Sequence, residues 1–414
     1  MTIPMDKGHI AEWLPALKSR NYRLYFFGQG VSLIGTWMAA VAQQWLLYPT
    51  LTNNKSLLGV ASAVNAVPTI VLLLYAGVIA DRTDRRIGIF IQQVLYALVT
   101  FTLFFLVSSG TIQVWHVFVA TFLTGAVFAF DMPSRQALMI ELVDKKYIAS
   151  AISLNTGIFN TARVIGPTVA GLLIASIGIA PAFFINGVSF VAVIASVLLM
   201  NIPRYIKIEQ SDSVWRQLKS GALYIREHQH IWTPLLILFL LSLSTGPIVT
   251  FLPVFAKDIF RVGEVGFGLL QAAFGLGAVI GSFGFSTLYQ TITDKHRFLS
   301  GLLIIISLSM AGFSYAPLFV LALGAIFLGG WGGATLMTLV RTAVYEQVPN
   351  HLRGRLVSYY SLVLIGGTPI GALLGSVGVG TIGIRLTVLL SAIFFGVTTL
   401  ILIKNLDKRY IKFI

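Results

Sequence analysis

The stretch NTGIFNTARVIGPTVAGLLIA, Asn155–Ala175, is apolar enough to cross a bilayer, yet it carries Arg163 near its middle and Gly166-Pro167 just beyond. A charge at mid-bilayer costs about 2.5–3.5 kcal/mol on insertion scales, and a proline removes a helix hydrogen bond. An intramembrane arginine therefore faces a polar cavity or a partner rather than lipid. Asn160 lies three residues earlier on the same helical face and Phe159 one turn earlier. Ala162, Gly166, Ala170 and Gly171 add small residues that let a second helix approach closely. The stretch reads as a bent helix face, suited to a gate between two halves, with Arg163 one turn before the bend.

Working outward, the same apolar character runs along the whole chain. Its 414 residues are 56% hydrophobic and only 11% charged, with a mean hydropathy of +0.85. A spanning helix needs about 20 apolar residues, and only helices or closed barrels satisfy the backbone in lipid. The segments are too long and too apolar for barrel strands, so the fold class is an all-α polytopic membrane protein. Spans are expected near 22–49, 57–80, 88–108, 112–134, 148–175, 180–202, 232–256, 266–290, 298–316, 317–340, 355–379 and 384–404. Ser314, Tyr315 and Pro317 are all that separates the ninth from the tenth.

An even count of spans puts both termini on one side. Of the 29 lysines and arginines, 24 fall on that side, while Lys55, Lys257, Arg261 and Arg385 lie opposite and Arg163 lies within a span. The positive-inside rule then places both termini in the cytoplasm. The net charge of +14 is thus a topology signal, and no nucleic-acid partner is expected. The chain contains no cysteine, which excludes disulfides and thiolate metal sites. The mixed, polar first twenty residues do not form a cleavable signal peptide.

The longest polar stretch, 203–231, lies at the midpoint and contains SVWRQLKSGALYIREH, whose ragged apolar stripe suggests a helix lying against the membrane. The expected division is a cytoplasmic segment 1–21, a six-helix bundle 22–202, this linker, a second bundle 232–404 and a tail 405–414. A shift of 205 residues aligns IELVDKKYIASAISL, from Ile140, with YEQVPNHLRGRLVSY, from Tyr345, and matches Glu141 with Glu346, Ser153 with Ser358 and Gly166 with Gly371. With six spans on each side of the linker, the two bundles read as pseudo-symmetric halves, an arrangement that places substrate between halves at mid-depth. Gly367, Gly371 and Gly375 in span 11, and Gly277 with Gly281 in span 8, sit at four-residue spacing. That spacing permits close helix packing, of the kind that rocking halves would re-form.

The turn after span 2 reads GVIADRTDRR, Gly77–Arg86. It resembles the loop 2–3 signature of the major facilitator superfamily: a Gly, three residues, Asp-Arg, then a basic pair. Gly77, Asp81, Arg82, Arg85 and Arg86 carry the match, and Asp84 stands where that pattern usually has a second Gly. Ala162, Gly166-Pro167 and Ala170-Gly171 resemble the fifth-helix motif of exporters in the superfamily. The wider string from FDMPSRQAL through NTARVIGPTVAGLLI to FFINGVSF resembles the branch containing the enterobactin exporter and related efflux proteins. The resemblance implies twelve helices in the major facilitator fold, alternating access and proton-driven export, with gating roles for the loop signature and for Arg163, Gly166, Pro167 and Gly171.

Proton coupling needs a carboxylate that the membrane can hold neutral. Most of the fifteen acids lie in loops or near span ends, and Asp131, near the cytoplasmic end of span 4, is the deepest. Arg135 follows four residues on with Pro133 between, so Asp131 is either the proton carrier or half of a neutralised structural lock. Glu141 and Glu346 are expected to pair with Arg135, Arg341 or other loop arginines as links of a cytoplasmic gate. Gln29, Ser32, Thr36 and Gln43 share one face of span 1, and polar residues on a spanning helix point inward. With Asn65, Asn160 and Gln271 they are candidates for a substrate cavity, and their uncharged chemistry suits an amphipathic or multiply hydrogen-bonding solute. For Arg163, structural bonding to carbonyls freed by Pro167, gating and direct substrate contact all stay open.

No Walker A loop and no His-Glu-x-x-His motif occur, so neither ATP-driven pumping of that kind nor a metal site is expected, and no cofactor and no enzymatic role. The leading expectation is a monomeric secondary transporter of the inner membrane, embedded in lipid, that exports a small amphipathic molecule such as a siderophore or drug against protons. An importer or lysophospholipid transporter of the same fold is the nearest alternative. A non-transporting scaffold, receptor or scramblase is the alternative from another class.

Overall fold

The computed structural model describes residues 14–82, 84–201, 223–226, 228–288, 292, 294–347 and 353–405. It contains twelve helices long and apolar enough to span a membrane. They are α1 (Arg20–Trp45, continued by a π-helical turn Leu46–Leu51), α2 (Ser56–Arg82), α3 (Arg85–Ser108), α4 (Val114–Glu141), α5 (Ile148–Ile177) and α6 (Ala180–Leu199). The second set is α7 (Gln229–Thr250, continued through Leu252–Val254 and Phe255–Ile259), α8 (Gly263–Leu288), α9 (Lys295–Tyr315), α10 (Phe319–Gln347), α11 (Arg353–Thr381) and α12 (Ile384–Asn405). No strand occurs among the described residues. Large apolar side chains such as Val320, Val377 and Leu308 remain exposed, as lipid-facing helix surfaces require.

The helices follow the expected spans and differ mainly at one end. α4 and α10 run on to Glu141 and Gln347, beyond the apolar runs expected to end at 134 and 340. Hydropathy registers only the part of a helix that lies in hydrocarbon, whereas i→i−4 bonding continues through polar residues at the interface. The weakly marked separation after span 9 is a real break, where the Ser314 hydroxyl donates to the Arg385 carbonyl. The expected linker helix lies outside the described residues, apart from the short helical piece 223–226.

The chain divides into two compact units, one drawn from Met1–Gln43 and Val71–Glu209, the other from Gln44–Ile70 and Gln210–Ile414. The hairpin formed by the end of α1 and the first half of α2 therefore packs with the second unit, whereas the sequence places it in the 22–202 bundle. Its partners are distant in sequence, which is why periodicity does not reveal them.

The 205-residue repeat is visible in three dimensions. α5 is capped by Gly178 with φ 91°, and Gly383, two residues beyond α11, has φ 86°, a left-handed conformation that glycine adopts without penalty. In the first unit, a Cβ at Gly166 would lie 2.6 Å from Trp37 Cβ and 2.9 Å from the Ile34 carbonyl of α1. In the second unit, a Cβ at Gly371 would overlap the Leu243 carbonyl of α7, and one at Gly367 would lie 2.6 Å from Ser242 Cβ and 3.2 Å from the Phe239 carbonyl. The shift carries Gly166 to Gly371, Ile34 to Phe239 and Met38 to Leu243, so α5 on α1 and α11 on α7 are one packing used twice. Gly277 and Gly281 similarly seat α8 on the Phe327 and Trp331 carbonyls of α10. These close approaches all join helices inside one unit. Gly166, on the α5 face read from sequence as a gate surface, packs against α1 of its own unit, and Pro167 and Gly171 on the same helix are buried.

Candidate functional site

A buried pair of opposite charges in the first unit lies one turn apart on α4, facing two amides of α3. Asp131 is 6% exposed and accepts from Arg135 Nε, one turn later, at 2.7 Å through Oδ1 and 2.6 Å through Oδ2. Gln93 Nε2 donates to Asp131 Oδ1 at 3.2 Å, and Gln92 Nε2 lies 3.4 Å from Ser134 Oγ, which itself donates to the Phe130 carbonyl. Tyr25 and Tyr96 lie within electrostatic range of the pair. Pairing is what makes the burial tolerable, because an isolated ion there would carry a desolvation penalty of several kcal/mol. The accounting is incomplete: Arg135 Nη1, Gln92 Oε1 and Gln93 Oε1 are buried with no hydrogen-bond partner among the described residues. One unsatisfied donor and two unsatisfied acceptors around an ion pair make a polar cluster inside an apolar bundle.

Arg163 projects from α5 over the Trp37 ring of α1, its guanidinium carbon 5.7 Å from the ring centroid. Phe159 meets Trp37 edge-on at 5.9 Å. A guanidinium on an indole face is worth from about 0.5–1 kcal/mol when exposed to about 2 when desolvated. This contact lies directly beside the Gly166 packing, and Asn160 sits half-buried nearby on the same helix.

The surroundings of Gly77 and the side chains of Asp81 and Arg82 lie outside what is described, although the backbone there is helical. Arg85 pairs with Glu141, tying the start of α3 to the end of α4, and Arg86 Nη2 donates to the Leu198 carbonyl of α6 at 2.8 Å. These links lie within the first unit, and Arg85 is one of the loop arginines with which Glu141 is expected to pair. Arg135, its other expected partner, is taken by Asp131. The Glu346 side chain lies outside the described residues, and Arg341 is exposed on α10. Asp84, the departure from the loop signature, is the N-cap of α3. Its φ is −61° and its carboxylate accepts from Arg86 N–H at 2.9 Å, so the position requires no glycine and supplies a cap.

The polar residues of α1 split in character. Gln29 and Ser32 are buried, Thr36 is exposed and donates to the Ser32 carbonyl at 2.8 Å, and half-buried Gln43 donates to Thr121 Oγ1 of α4 at 2.5 Å. Asn65 is exposed on α2 and Gln271 half-buried on α8, both in the second unit. The structure thus brings together Asp131 with Arg135, and Glu141 with Arg85.

Sequence reasoning missed three groups. Gln92 and Gln93 were detectable as adjacent amides inside the apolar run of α3. Trp37 was detectable as an aromatic on the polar helix. The third is a cluster in the second unit, where Tyr48 and Lys55 converge on Asp258. Its only signal was that Asp258 and Glu264 are the two acids opposite the termini.

Comparison with known proteins gives a consistent pattern. The family model described as transmembrane secretion effector matches residues 11–409. The staphyloferrin A transporter of Staphylococcus aureus is 26% identical over 364 residues, covering 87% of this chain and 90% of that protein. Macrolide efflux protein A of Streptococcus pyogenes is 24% identical, covering 90% and 94%. Among solved structures, a bacterial homologue of the iron transporter ferroportin in an inward-facing state superposes with a TM-score of 0.72 at 17% identity, covering 93% of this chain and 99% of that one.

Proposed function

Because the chain belongs to the transmembrane secretion effector family of major facilitator transporters, we propose that it exports a small amphipathic molecule, a siderophore or drug, in exchange for protons. Membership makes it a multi-pass membrane transporter of small molecules. The export direction is supported by the relatives whose names describe efflux. The siderophore class is supported by the staphyloferrin A transporter. Both termini lie in the cytoplasm on this reading, in accord with the lysine and arginine distribution, and the working unit is a single chain of two related six-helix sets.

The observation that carries the proton part is the buried Asp131–Arg135 pair with its unsatisfied neighbours. In the paired state the site is neutral overall. A proton taken up by Asp131 would leave the Arg135 guanidinium uncompensated in low dielectric, a condition the bundle tolerates poorly. Arg135 must then find another acceptor, and the idle Gln92 and Gln93 oxygens are within its cluster. Proton uptake is thereby converted into a rearrangement of α3 against α4, the elementary step that coupling requires. Arg163 and Trp37, at the α1–α5 seam, serve as a positioning pair beside the polar face of α1, where Thr36 and Gln43 meet the solute together with Asn160 while Gln29 and Ser32 stay buried behind them.

Flux of macrolides and siderophores from proteoliposomes, measured with and without an imposed pH gradient, tests this directly. Transport accelerated by an inward proton gradient is expected. Transport indifferent to the gradient would remove the proton part, and a chain that moved none of the panel would remove the substrate class.

A further inference from the structure

Arg163 is the cation that the sequence places inside a span, and the scaffold does not need it. The equivalent position of the second half is Thr368, yet α11 packs on α7 there as α5 packs on α1. The contact that Arg163 makes is aromatic. Its guanidinium carbon stands 5.7 Å from the centre of the Trp37 ring, and Phe159, one turn before Arg163, braces that ring edge-on at 5.9 Å. The α1 backbone that carries Trp37 is fixed as well. At Gly166 an added Cβ would stand 2.6 Å from Trp37 Cβ, 2.9 Å from the Ile34 carbonyl and 3.2 Å from the Met38 nitrogen. Arg163, Trp37 and Asn160 are each half-buried, so the pair is not sealed inside the bundle.

A stacked guanidinium has a specific chemistry. Stacking engages its π face and consumes no N–H donor, and the donors lie in the plane as a fork that matches the two oxygens of a carboxylate. The aromatic backing holds that plane in one orientation, so less freedom is lost when an anion arrives. In low dielectric the attraction between the two charges is far stronger than in water. Asn160 on α5 and Thr36 on α1, the polar neighbours in sequence, are uncharged and do not compete with an anion for the fork. A neutral analogue of the solute would displace water from the guanidinium without returning a counter-charge, and sites built this way reject such analogues strongly.

We propose that Arg163, held flat by Trp37, recognises an anion, and that the solute is an amphipathic molecule bearing a carboxylate. This rests on the export reading and deepens it by naming the charged group that the solute carries. Trp37 is the positioning residue, acting through the plane of Arg163.

Binding, rather than flux, tests the assignment. The full chain is purified in an uncharged detergent, and affinities are measured by calorimetry for naproxen, ibuprofen and salicylate, each beside its neutral primary amide. The parent should bind the acids about tenfold or more tightly than the amides, the scale of hydrogen bonds between charged groups. Arg163→Gln should bring that ratio close to one through loss of acid affinity, whereas a merely structural arginine would weaken acid and amide alike and leave the ratio where it was. Arg163→Lys keeps the charge without the planar fork and should fall between. Trp37→Leu removes the backing and should cut the ratio severalfold. A parent with no preference for the acids overturns the proposal, as does a preference that survives Arg163→Gln. If Arg163→Gln does not fold, parental ratios in both Arg163→Lys and Trp37→Leu overturn it equally. The measurement uses no gradient and no vectorial movement. Flux indifferent to protons therefore leaves the assignment standing, and a chain that exports macrolides while showing no acid preference loses the assignment alone.

Discussion

The two halves of this molecule use one scaffold and furnish it differently. The first seats α5 on α1 at Gly166, with Ala162 and Ala170 buried one turn to either side. The second seats α11 on α7 through Gly367, Gly371 and Gly375, the same positions after the 205-residue shift. The shift also carries Asp131 to Leu336 and Arg135 to Val340, both essentially inaccessible, and Arg163 to Thr368. The second half is thus a built-in control. It shows that the helix pairings close without the buried ion pair and without an intramembrane arginine, so the polar insertions of the first half answer a requirement other than folding.

That comparison can be broken most forcefully at the ion pair. Asp131→Leu alone should destabilise the protein by about 3–5 kcal/mol, because Arg135 is left buried without its counter-charge. The double variant Asp131→Leu/Arg135→Val copies the second half and should recover most of that loss, since apolar replacement of a whole buried pair is often neutral or stabilising by about 1–4 kcal/mol. It should no longer respond to a pH gradient. Thermal unfolding in detergent reads the first effect and gradient-driven flux the second. A double variant as unstable as the single one would show that the halves are not equivalent scaffolds.

The seams supply a smaller contrast. Gly371→Ala drives a methyl group into the Leu243 carbonyl, which is backbone, whereas Gly166→Ala first meets Trp37 Cβ. Overpacking of this kind costs about 1–3 kcal/mol, with Gly371→Ala at the upper end and Gly166→Ala below it. Unfolding midpoints in that order support a tighter second seam, and the reverse order refutes it.

The smallest change in stability is expected at Arg163. Arg163→Thr installs the residue of the second half, forfeits a cation–π contact of about 0.5–2 kcal/mol and removes a costly charge from the bilayer. The unfolding midpoint should stay near that of the parent while flux falls. Unchanged flux would demote Arg163 to a packing residue.

Much of this arrangement was legible because it is local or periodic. Apolar runs mark the spans, Asp131 and Arg135 are one helical turn apart, and Gly166 and Gly371 declare themselves through spacing and repeat. Contacts between distant residues were not legible. Nothing in the order of residues singles out Arg85 among the loop arginines expected to pair with Glu141, or brings Tyr48 to Asp258, because a pair across helices depends on rotation and register that hydropathy leaves undetermined. The membership of residues 44–70 was hidden for the same reason, since a repeat argues for continuity of the half in which a hairpin is encoded. Asp84 shows the converse: a residue that departs from a family pattern proved locally sensible once its capping bond to Arg86 was visible.

The hairpin also bears on how the chain is made. Tyr48 is synthesised 210 residues before Asp258, and Ser56 is synthesised 320 residues before Ser376. Throughout that interval the first helices emerge into the bilayer with Lys55 and the Ser56 backbone lacking their eventual partners. The N-terminal set of helices therefore cannot reach its final form ahead of the C-terminal set, and maturation of the two ends of the message is tied together. Splitting the gene at the central linker should yield fragments that mature only when both are present in one membrane.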